Sequence, residues 1–71
     1  MKATVERMAR ALGTSLAEAH VSLCGSAWAE GDTLKTFARV VWQSEADTLM
    51  ADDDISGFVA AYADAYQAYQ L

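Results

Sequence analysis

The stretch from Thr4 to Glu30, T-V-E-R-M-A-R-A-L-G-T-S-L-A-E-A-H-V-S-L-C-G-S-A-W-A-E, decides how many helices this chain has. Val5, Met8, Ala9 and Leu12 recur at i, i+3, i+4 and i+7, the spacing of one helical face. Gly13 then stands where a left-handed C-cap would end a first helix of about residues 4–12. Thr14 and Ser15 offer N-caps. Ser15 with Glu18 forms the S-x-x-E capping box expected to open a second helix, 15–30, which Gly31 stops.

Outward from this stretch, every segment reads as helix. Proline is absent and no strand-like alternation persists. Asp32 is placed to cap a third helix over 33–50, whose inward positions are Leu34, Phe37, Ala38, Val41, Trp42 and Leu49. Glu45 falls on that same stripe, where a carboxylate is costly. A break near Ser44 would turn it outward, and the continuous and broken readings weigh equally. One of Asp52 to Asp54 caps a fourth helix, 54–69, with Ile55, Phe58, Val59, Tyr62, Tyr66 and Tyr69 on one face and alanine over most of the rest. Such a helix is either central to the fold or packed against another chain. The expected architecture is a single all-α domain over 1–71, a bundle of about four helices.

At 71 residues the chain is near the lower size limit for a self-supporting core. Cys24 is its one cysteine, so no internal disulfide can add stability, and a reducing, cytoplasmic setting is expected. No apolar run approaches the ~20 residues of a membrane span. Charge is divided along the chain. Residues 1–41 hold five bases, Lys2, Arg7, Arg10, Lys35 and Arg39, against Glu6, Glu18, Glu30 and Asp32. Residues 42–71 hold Glu45, Asp47, Asp52, Asp53, Asp54 and Asp64 and no base. An acidic patch of this kind repels nucleic acid and anionic membrane and attracts a basic protein surface.

Within the second predicted helix, Leu16, His20, Leu23, Cys24 and Ala27 form one stripe, with Ser22, Gly25 and Ala29 as a small-residue face and Val21 and Trp28 as a flank. His20 and Cys24 at i, i+4 could supply two metal positions. A zinc site needs three or four ligands, and no further Cys or His exists. A core histidine is the stronger reading. The same pair lacks any sign of an oxyanion hole, so no catalytic residue, metal or cofactor is expected.

Two short resemblances arise. Asp52, Asp54, Ser56 and Gly57 resemble the opening of an EF-hand loop, but Ala63 stands where that family places its bidentate glutamate. Residues Met8 to Ser22 resemble a helix-turn-helix, with Ala9 and Gly13 at the family's helix and turn positions. This resemblance would imply a DNA-binding regulator. The would-be recognition helix, however, carries Glu18 and no Lys or Arg.

The acidic group Glu45, Asp47, Asp52, Asp53 and Asp54, beside Trp42, is the main candidate site. Glu45 and Asp47 lie toward a helix C-terminus, where the dipole disfavours anions and no base follows to relieve them. The expected function is a small interaction protein that docks through this group on a basic surface of a larger protein. On size, acidity and helicity alone, one natural version would be a phage- or plasmid-borne inhibitor that occupies a nucleic-acid groove, as anti-CRISPR proteins and other DNA mimics do. The alternative is a structural module, a homodimer or assembly subunit, with Tyr62, Tyr66 and Tyr69 as its contact.

Overall fold

A computed structural model describes residues 3–45 and 55–69. Those residues form three helices, α1 (Ala3–Cys24), α2 (Gly31–Ser44) and α3 (Ile55–Tyr69), and no strand. The all-α class stands. The helix count differs from the four predicted because α1 runs unbroken through Gly13, Ser15 and Glu18, so the predicted C-cap and capping box both fall mid-helix.

Tertiary packing overrides the local signals at Gly13. Val5, Ala9, Gly13 and Ala17, four residues apart, form the buried stripe of α1. At Gly13 a β-carbon would collide with the Tyr62 carbonyl oxygen of α3 and lie 3.1 Å from its carbonyl carbon. A glycine inside a helix costs about 0.5–1 kcal/mol relative to alanine. Here that cost is offset by letting two backbones touch, which no other residue permits.

The glycine that does end α1 is Gly25. Its φ of 87° is left-handed, and its N–H donates to the Val21 carbonyl at 3.0 Å, the αL form of C-cap. Gly31, predicted to stop a helix, opens α2 instead with φ 57°. Asp32 is likewise not the cap. Glu30, in extended conformation, holds that position without a side-chain bond, while the Asp32 carbonyl accepts the Thr36 hydroxyl at 2.8 Å.

The α2 helix stops at Ser44. Glu45 follows as its C-cap and donates its N–H to the Val41 carbonyl at 3.0 Å. The end at Ser44 excludes a continuous helix over 33–50, while the restart expected beyond the break lies outside the described residues. Leu34 and Ala38 are buried and Phe37, Val41 and Trp42 partly so; Leu49 lies outside the described residues.

The α3 helix is the centre of the fold, packed mainly on α1 and also on α2. Phe58, Val59, Ala61, Tyr62, Ala65 and Tyr66 are all buried. Glu6 shares a groove with Gly57 at one end, and His20 meets Tyr66 at the other, so α1 and α3 run in the same direction. Trp42 meets Phe58 while Lys35 lies beside Ala63, so α2 runs opposite to both. The longest dimension, 36 Å, is about what 22 helical residues span at ~1.5 Å each.

Candidate functional site

Of the predicted partner-binding residues, Trp42 and Glu45 are described, while Asp47, Asp52, Asp53 and Asp54 lie outside the described residues. Trp42 is half-buried at the end of α2, its ring edge-on to Phe58 with centroids 5.3 Å apart. Three residues on, Glu45 places a carboxylate at the negative end of the α2 dipole, and the last turn of that helix holds no base.

Three of the bases are used or aimed elsewhere. Arg10 donates to Glu6 at 3.4 Å and to Asp64 at 3.1 Å, joining α1 to α3 across their exposed rim. Lys35 and Arg39 line a cleft of about 320 Å³ between α2 and α3, floored by Ile55, Val59, Ala60 and Ala63. Among the described residues, the ion pairs at Arg10 leave Glu45 unpartnered by any base.

The tyrosine stripe is redistributed. Tyr62 and Tyr66 are among the largest fully buried side chains, so in this fold they belong to the core of a single chain and cannot serve as an intermolecular contact. Tyr69, 42% exposed, alone keeps that possibility. Burial first, and the neighbouring Tyr66 second, push the Tyr62 phenol above its ordinary value of about 10.

The residues 8–22 resemblance fails on geometry. A helix-turn-helix needs a bend at Gly13, and that residue sits in straight helix with its face pressed on Tyr62. The EF-hand resemblance fares no better within the described residues: Ser56 and Gly57 lie in the first turn of α3.

Sequence reasoning missed a cluster at the opposite end from Trp42. The buried Tyr66 hydroxyl accepts the Ala29 backbone N–H at 3.0 Å and lies 2.6 Å from His20 Nδ1. His20 stacks on Trp28 at 4.7 Å and 21°, and Phe37 meets both rings edge-on at 5.9 Å. His20 is thus tied into the packing.

The predicted stripe of the second helix holds only in part. Leu16 and His20 face inward and Ala27 is buried, whereas Leu23 is 84% exposed and Cys24 is exposed as well. The helix ends at Cys24, one turn short of the length the stripe assumed. No group of three or more His, Cys, Asp or Glu with metal-holding geometry occurs among the described residues, and none of their helices is long and apolar enough to cross a membrane. No family profile, curated protein or solved structure matches this chain.

Proposed function

We propose that this protein is a small acidic interaction module that docks on a basic, nucleic-acid-binding surface of a larger protein and inhibits it. The observation that carries this reading is the division of charge along the sequence, where every charged residue from 42 to 71 is an acid. Arg10 is committed to Glu6 and Asp64, and Lys35 and Arg39 line the α2–α3 cleft, while Glu45 opens the acidic run 45–54 with no described base against it. A carboxylate at the negative end of a helix is held at a local cost of about 0.3–1 kcal/mol when nothing relieves it. A cationic partner would relieve it. Trp42, half-buried beside Glu45, adds an aromatic anchor of the kind enriched at interfaces.

The test is displacement. A DNA-binding protein recovered with this chain from its native cells is loaded with duplex DNA, and the chain is titrated in. The wild type should displace the DNA. With Asp52, Asp53 and Asp54 changed to Asn, roughly tenfold more protein should be needed and the salt dependence should flatten. Displacement unchanged in that variant rejects the reading.

A further inference from the structure

We infer that the end of the bundle where α1 and α3 terminate is a second docking surface, one that takes a partner segment carrying large apolar side chains flanked by lysine or arginine. Six large apolar residues are exposed among the described residues: Val21, Leu23, Trp28, Val40, Ile55 and Tyr69. Four of them, Val21, Leu23, Trp28 and Tyr69, lie at this one end. Leu23 projects almost entirely into solvent, and Trp28, stacked on His20, keeps half its surface open. Apolar surface gathered in this way marks an interaction site more often than scattered exposure does.

Charge specifies the occupant. Because α1 and α3 are parallel, both of their negative dipole ends emerge here, and neither helix has a base in its last turn. The opposing N-terminus of α2 carries Asp32 in its first turn. Glu18, Glu30 and Asp32 are exposed around the patch. Arg7 and Arg10 lie at least 11 residues back along α1 from Val21, and Lys35 and Arg39 line the cleft beside α3. A second copy meeting this face with its own would set acid against acid. A cationic apolar segment instead finds complementary charge and a surface to bury. This surface includes neither Trp42 nor Glu45, and the inference does not depend on the role of the 45–54 run.

Amphipathic helical peptides built from leucine and lysine, from leucine and glutamate, and from serine and lysine serve as probes, with binding followed by amide chemical shifts. The leucine–lysine peptide should bind, with shifts centred on residues 21–28 and Tyr69. Its affinity should fall roughly tenfold in Leu23→Ser, whose exposed position leaves the fold intact, and fall again as salt rises. The variant with Asn at 52, 53 and 54 should bind it as the wild type does.

Equal binding of the serine–lysine or leucine–glutamate peptide overturns the inference. So do shifts confined to the 45–54 region that vanish in the Asn variant, a result that would leave the proposed function standing. A concentration-dependent dimer in sedimentation, lost in Leu23→Ser, would overturn it in favour of a second copy.

Discussion

The two flanks of α3 are packed by opposite means. Against α1 small residues, Ala9, Gly13 and Ala17, form the buried stripe, and the backbones meet where Gly13 faces the Tyr62 carbonyl. Against α2 it is side chain on side chain: Leu34 and Ala38 reach the core, Trp42 meets Phe58 at 5.3 Å, and a cleft of about 320 Å³ remains between the helices. A chain with few large apolar residues spends its bulk on one seam and closes the other by omission. The α1 seam therefore tolerates no added atoms, whereas the α2 seam depends on those it has.

The largest expected effect follows from adding atoms to the closed seam. Gly13→Val should abolish cooperative folding, because the branched side chain cannot fit against the Tyr62 backbone without parting the helices. Loss of the thermal transition in circular dichroism would show it, and a wild-type melting curve would refute the backbone contact. Removing atoms from the other seam should cost less. Leu34 is the largest fully buried side chain of α2, and Leu34→Ala should destabilise by about 2–5 kcal/mol in urea titration, the usual range for a cavity of that size.

The smallest effect sharpens the comparison at Tyr62, which sits on the closed seam. Its phenol is raised above the ordinary value, so the folded state holds the proton more tightly than the unfolded chain. That contribution is fully present below about pH 10 and is lost as pH rises through the folded-state value. Urea midpoints should hold steady up to that point and then decline. In Tyr62→Phe the alkaline decline should shrink, and an unchanged decline would assign it to another group.

The helical class, the bounds of α3, most of the inward face of α2 and the stop at Ser44 were legible because each rests on local periodicity or on the cost of a misplaced carboxylate. Gly13 was not. A glycine followed by Thr14, Ser15 and Glu18 carries the same letters whether it caps one helix or lets another approach, and only the packing partner decides. The four-residue spacing of Val5, Ala9, Gly13 and Ala17 was the available clue. Asp32 misled for a related reason: the positive φ of Gly31 starts the helix two residues earlier than a cap at Asp32 would. Trp28 read as a flank and Phe37 as an inward position, but their contact with His20 was not legible because it joins elements distant in sequence. Of the acidic group itself only Glu45 lies among the described residues, and it is partly buried as the C-cap of α2.

The parallel pairing of α1 with α3 also sets an order of events in synthesis. The first helix finds its principal support in the last, and the Arg10–Asp64 bond closes a separation of 54 positions. Closing so long a loop must precede most of the reward for doing so. Without α3 the glycine groove of α1 has no lodger, so α1 and α3 gain their packing in one event rather than in turn.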